Sequence, residues 1–219
     1  MSYQAPIRVR RSHRWAGLSA VVTAVLFAGA NGLWAFEMPE GGASGAALVD
    51  FYDDLSGRIV AGALLSLISI ATFVVFASAF RSVLAELEGD ELLANIAFGG
   101  SLLGMAAGVG AETINMAAAL RAADGELTEP LAQALFDTSY VLGYNAAGVG
   151  VGLLALATAA AALRARALLP RWLAVIALAL GVALLTPLSQ WVLGPSFVLL
   201  LVLGVLLLRG SAVPSSHDR

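Results

Sequence analysis

The chain predicts an all-α integral membrane bundle of six transmembrane helices with both termini on the cytoplasmic side. Three observations carry that prediction. Six apolar runs reach or approach the length of a bilayer span; the composition is 59% hydrophobic and 12% charged, with mean hydropathy +0.87; and the arginines gather beside alternate runs. A spanning helix needs ~20 mostly apolar residues at ~1.5 Å rise each, whereas soluble domains carry about one-quarter charged residues. The approximate spans are 15–36, 59–80, 92–120, 141–163, 172–188 and 191–208, within one domain covering 15–209.

The first 14 residues form an Arg-rich segment holding Arg8, Arg10, Arg11 and Arg14. An apolar core from Ala16 and the small pair Ala28 and Ala30 imitate a cleavable secretory signal. Apolar sequence continues through Leu33, Trp34, Ala35 and Phe36, however, so a retained first helix is expected. After the break Glu40-Gly41-Gly42, the stretch Ser44 to Leu55 places Leu48, Phe51, Tyr52 and Leu55 opposite Asp50, Asp53 and Asp54. That pattern predicts a short amphipathic helix at the outer interface. Thr128-Glu129-Pro130 signals a helix start, and the run from there to Arg164 is ~54 Å of helix, longer than a ~30 Å hydrocarbon core. The fourth helix should therefore project outward. The fifth and sixth are apolar all round and barely long enough, and Pro187, Gly194 and Pro195 mark their junction. Residues 210–219 form a polar cytoplasmic tail expected to be flexible.

The arginines set the expected orientation. With both termini inside, ten of the twelve face the cytoplasm and only Arg58 and Arg121 lie outside, which is the positive-inside bias. Trp15, Trp34, Trp172 and Trp191 all fall at expected helix ends, where amphipathic rings prefer the headgroup level. All basic residues are arginine, which fits the coding bias of a high-GC bacterium, and the expected location is the cell (inner) membrane.

Composition also removes function classes. There is no cysteine, hence no disulfide, thiolate metal site or iron–sulfur ligation. The two histidines, His13 and His217, lie near the termini, so an intramembrane bis-histidine haem is excluded. No Ser–His or Glu-x-x-His pair occurs within the spans, and Gly-x-Ser-x-Gly and His-Glu-x-x-His are absent. These absences lean against an enzyme, and no cofactor, metal or nucleic-acid partner is expected.

One feature of the interior stands out. Ser101, Gly104, Gly108, Glu112 and Asn115 share a face of the third span, and Asp137, Tyr140, Tyr144, Gly148 and Gly152 recur at helical spacing on the fourth. The glycines predict close packing of these two helices. The polar residues, joined by Asn145, by Asn31 on the first helix and by Arg58 at the start of the second, predict a cluster in the outer leaflet. A charge at a helix centre in lipid costs at least ~2.5–3.5 kcal/mol, so Glu112 should be protonated or paired, with Arg58 as the expected partner. Two readings stand: a buried network that sets helix register, or a pocket for a small amphiphile or ion.

Asp50-Phe51-Tyr52 followed by Arg58-Ile59, Ala134-Leu135-Phe136-Asp137, and Leu169-Pro170-Arg171-Trp172-Leu173 resemble an uncharacterised bacterial family of multi-pass membrane proteins, grouped as a domain of unknown function. The resemblance implies six helices and no particular activity. The expected function is thus a non-enzymatic binding or interaction protein, whose partners are the lipid bilayer and a small amphiphilic ligand or another membrane protein. A small-molecule or ion transporter component is the alternative.

Overall fold

The computed structural model describes residues 5–39, 42–88, 91–165 and 169–209, and all its regular elements are helical. They are α1 (Ala5–Trp34), a single 3-10 turn (Ala35–Glu37), α2 (Gly45–Asp54), α3 (Ser56–Glu88), α4 (Leu92–Ala123), α5 (Glu129–Tyr140), a π-helical turn (Val141–Ala146), α6 (Ala147–Ala165), α7 (Arg171–Leu184) and α8 (Ser189–Leu208). Among the described residues, five stretches are long and apolar enough to cross a membrane: Ser12–Glu37, Ser56–Leu87, Leu92–Ala123, Glu129–Arg164 and Ser189–Leu208. The span expected at 172–188 is different. It is the 14-residue α7, ~21 Å long, which falls short of a ~30 Å core. Pro187 disfavours helical geometry at Thr186, and the Thr186 hydroxyl accepts from the Leu188 amide at 3.2 Å, so the chain turns there into α8.

The long helices close into a ring. α1 packs on α3 and α8, α3 on α4, α4 on α6, α6 on α7, and α7 returns to α8. Because lipid tails are as apolar as leucine, helices in such a setting associate through close packing at small residues. The tightest approach joins α4 to α6, where a Cβ on Gly150 would stand 2.2 Å from the Gly104 nitrogen and 2.5 Å from the Gly100 oxygen. The expected close pair is present, but only part of the glycine set makes it. Gly108 faces Ile70 of α3, Gly148 faces Leu184 and Ser189, and Gly152 faces Gly181. Two residues of helix turn ~200°, so Gly150 and the pair Gly148/Gly152 point to opposite neighbours. The two faces of α6 are both glycine-lined, one for α4 and one for α7.

At one end, called here the cap end, α2 and α5 cover the bundle. Ser44 caps α2 by accepting from the Ala47 amide at 3.3 Å, and Leu48, Phe51 and Tyr52 are buried. Their apolar face meets α4 and α5, in a cluster with Trp34, Ala118, Ala122 and Phe136. The amphipathic helix read in the sequence therefore turns its apolar side to protein rather than to lipid. α5 begins where Thr128-Glu129-Pro130 announced it, with Thr128 at the N-cap, although its hydroxyl makes no capping bond. Helix runs on through the π-turn to give 36 residues over Glu129–Arg164. The break at Glu40-Gly41, Arg166 and the tail 210–219 lie outside the described residues.

Candidate functional site

The ring encloses a cavity that runs from Met38, beside the cap, to Phe73, Met105 and Val151 near the middle of the bundle. It offers about 120 Å³ to the centre of a water molecule, where ~10–15 Å³ suffices for one. Several waters or a small organic group fit. Its lining comes from α1, α3, α4, α5, α6, α8 and the π-turn. A π-turn inside an α-helix often marks a functional position, and here it carries Gly143 and Tyr144 into the cavity wall. Beyond Phe73, Val151 and Phe197, which line both spaces, a second cavity of about 50 Å³ continues toward the opposite end. Apart from Thr158 and Ser196 its wall is apolar.

Glu112 is the only carboxylate among the described residues of the first cavity's wall, which holds no arginine or histidine. Ser66 bonds to its carboxyl group, but Oε2 is buried with no partner. Trp34 adds a second orphan. Its indole is buried against Gly62, on which a Cβ would lie 2.6 Å from the ring, and its Nε1 donor is unpaired. Buried polar groups are normally satisfied. The Glu112 acceptor on the cavity wall is therefore open to a polar or charged partner, whereas the Trp34 donor lies against Gly62, which does not line the cavity. The remaining polar lining is largely engaged. Ser69 donates to the Thr23 carbonyl at 3.0 Å, Asn31 to the Phe27 carbonyl at 2.9 Å, and Tyr140 to Gln190.

Of the residues singled out from sequence, Asn31, Glu112, Asn115, Tyr140 and Tyr144 line this cavity. Three do not. Arg58 is half exposed and bonds Glu37 at 2.7 Å, so the expected Arg58–Glu112 pair does not form. Asp137 is exposed on α5, and Asn145 faces away to accept from Ser189 at 3.1 Å. Helical phase explains this: a residue at the right depth can still have the wrong azimuth, and most azimuths on a helix miss a given cavity. Missed were Ser66, Ser69, Ser139, Thr23 and the Trp34 indole. The three-residue spacing of Ser66 and Ser69 within an apolar span was the signal that could have located that wall.

The cap is latched to the cavity by one buried hydrogen bond, in which Tyr52 donates to the Asn115 Oδ1 at 3.0 Å. Burial pushes the Tyr52 phenol up to about 12, against a smaller opposing pull from Ser139. It is therefore a neutral donor at physiological pH. Comparison with protein-family models, curated proteins and solved structures finds no match to this chain. The cavity's own chemistry must carry any assignment. Among the described residues no three acids or imidazoles converge, and what the site presents is one carboxylate and an aromatic wall.

Tyr52→Phe should lower stability by ~1 kcal/mol, the ordinary net worth of a hydrogen bond, plus whatever the orphaned Asn115 acceptor adds; denaturation in nanodiscs reads it. Arg58→Met should cost under ~1 kcal/mol, since exposed ion pairs contribute little. A loss several times larger would mean that Arg58 does more than hold Glu37.

Proposed function

We propose that this chain is a multi-pass protein of the bacterial cytoplasmic membrane that binds a small amphiphilic molecule in the cavity of its helix ring, without catalysing a reaction. The observation that carries the reading is the Glu112 Oε2, buried and unpartnered on the cavity wall. Buried acceptors are normally partnered, and an unsatisfied one costs ~1–3 kcal/mol, which favours a partner in the cavity over a network closed within the protein. In this reading the helices cross six times, α7 making a short crossing beside α8, and both termini face the cytoplasm. The cap of α2 and α5 then lies outside, over the cavity mouth.

Native mass spectrometry tests the binding. Protein released from nanodiscs should carry a small-molecule adduct that is lost in Gly143→Phe, which fills the cavity from the π-turn. Wild-type protein with no adduct, and no thermal shift when its own lipid extract is returned, would sink the proposal. Transport is the second reading, favoured by the cavity's depth from Met38 to Phe73. Saturable uptake of the adduct into proteoliposomes would select it over simple binding.

Orientation is tested separately in this cysteine-free chain. A cysteine at Glu86 should resist an impermeant thiol reagent applied to intact cells, while one at Asp124 should react. The reverse pattern would invert the topology.

A further inference from the structure

We infer that the ligand is an organic cation with an apolar tail, the cationic head seated at Glu112 in the first cavity and the tail passing Phe73 and Phe197 into the second. The inference rests on the binding reading above and names the class of molecule bound. The first cavity supplies the head site. Its wall holds one carboxylate and, among the described residues, no arginine or histidine to neutralise it. Phe27, Trp34, Phe73, Tyr140, Tyr144 and Phe197 turn aromatic rings toward the same space. Ring faces attract a cation through their quadrupole, by an amount that grows when the cation is desolvated. An anionic head would meet Glu112 and the ring faces with repulsion. A neutral head would leave the buried acceptor only hydrogen-bonded.

The second cavity supplies the tail site. It adjoins the first, since Phe73, Val151 and Phe197 belong to both walls. From Phe197 to Leu203 on α8 and from Val151 to Thr158 on α6 it extends ~9–10 Å along the helix axes, between apolar side chains. Phe27 and Phe197 stack at 3.6 Å with an 8° interplanar angle, so no chain fits between these two rings and the tail passes beside them, along Phe73 and Val151. A chain threaded there would exchange lipid or water for protein contact on every side.

The test uses full-length protein in nanodiscs and a series of alkyltrimethylammonium ions, with alkyl sulfates and alkanols of equal chain length as controls, read by displacement of a fluorescent cationic probe. The wild type should bind the ammonium series best, and Glu112→Gln, which removes the wall's negative charge, should weaken it about tenfold or more, the coulombic scale for a partly desolvated ion pair. Ala155→Phe, which fills the second cavity from α6, should leave tetramethylammonium affinity unchanged. It should abolish the gain with chain length relative to wild type, up to about fourfold per methylene; Ala155→Leu serves if the larger side chain prevents folding. Comparing variants in the same lipid cancels partitioning of the tail. Equal binding of sulfates or alkanols, unaffected by Glu112→Gln, would overturn the cation while leaving amphiphile binding intact. Chain-length gain that survives in Ala155→Phe would overturn the tail site. Binding of no member of any series would remove the binding reading itself.

Discussion

Gly150→Leu should destabilise the bundle by ~3 kcal/mol or prevent its assembly, whereas Gly99→Leu, on the neighbouring helix and next to Gly100, should be nearly neutral. At Gly150 even a Cβ would overlap the Gly104 nitrogen at 2.2 Å and the Gly100 oxygen at 2.5 Å. Both atoms belong to backbone and cannot rotate away. Overpacking a well-packed site typically costs ~1–3 kcal/mol, and a contact between two main chains belongs at the upper end because relief requires the helices to move apart. Separation of α4 from α6 would also widen the cavity, since Gly104, Ala147 and Val151 form part of its wall. Gly99 faces open space, where a Cβ would meet nothing within 4 Å, so it controls for the cost of leucine itself. Thermal unfolding in nanodiscs compares them. Equal losses at the two positions would mean that the α4–α6 approach does not hold the ring.

Glu112→Leu should raise stability by ~1–3 kcal/mol while removing the bound molecule. Its Oε2 has no protein partner, so leucine relieves the desolvation of an unmatched polar group, while the Ser66 hydroxyl it releases can turn to the carbonyl one helical turn back. Loss of function with a gain of stability distinguishes a site from a strut. The same variant settles the relation to Arg58. Breaking a buried ion pair costs ~3–5 kcal/mol for either partner alone, with recovery in the double mutant. Here Arg58 bonds Glu37 and both are about half exposed, so Arg58→Met and Glu112→Leu should add within ~0.5 kcal/mol. A strong coupling energy would show that the two meet after all. A fall in stability with Glu112→Leu alone would return the carboxylate to a structural role.

Much of this molecule is legible without coordinates because lipid imposes a simple rule on sequence. Backbone polar groups with no water nearby must be satisfied within each segment, so length and hydropathy mark the long helices. The unusual length of the fourth helix and the start of α5 at Thr128-Glu129-Pro130 followed from local signals of the same kind. The length of the fifth span was misjudged, because a turn at Thr186-Pro187 ends α7 at 14 residues within a run that is apolar throughout. Hydropathy averages over such a turn and cannot see it.

Azimuth is what only tertiary structure decided. Depth along a helix is additive in residue number, and so Glu112, Asn115 and Tyr144 could be placed at one level from sequence; all three line the one cavity. Which way each points depends on the neighbour a helix selects, and that choice rests on packing between glycine faces. Gly148 and Gly150 lie two residues apart yet serve different helices, so no count of glycines along α6 could assign them. Arg58 illustrates the same division for charge. Its position near the cap end was readable, but its partner became Glu37 because the chain after α1 folds back to bring that carboxylate within 2.7 Å. The cavity itself is a property of the closed ring, since its wall draws on α1, α3, α4, α5, α6 and α8 together. The sequence by itself determined that long apolar helices would form and roughly how deep each polar side chain would sit, through rise per residue and the cost of exposed backbone. Closure of the helices around an unmatched carboxylate was decided by side-chain and glycine packing between segments far apart in the chain.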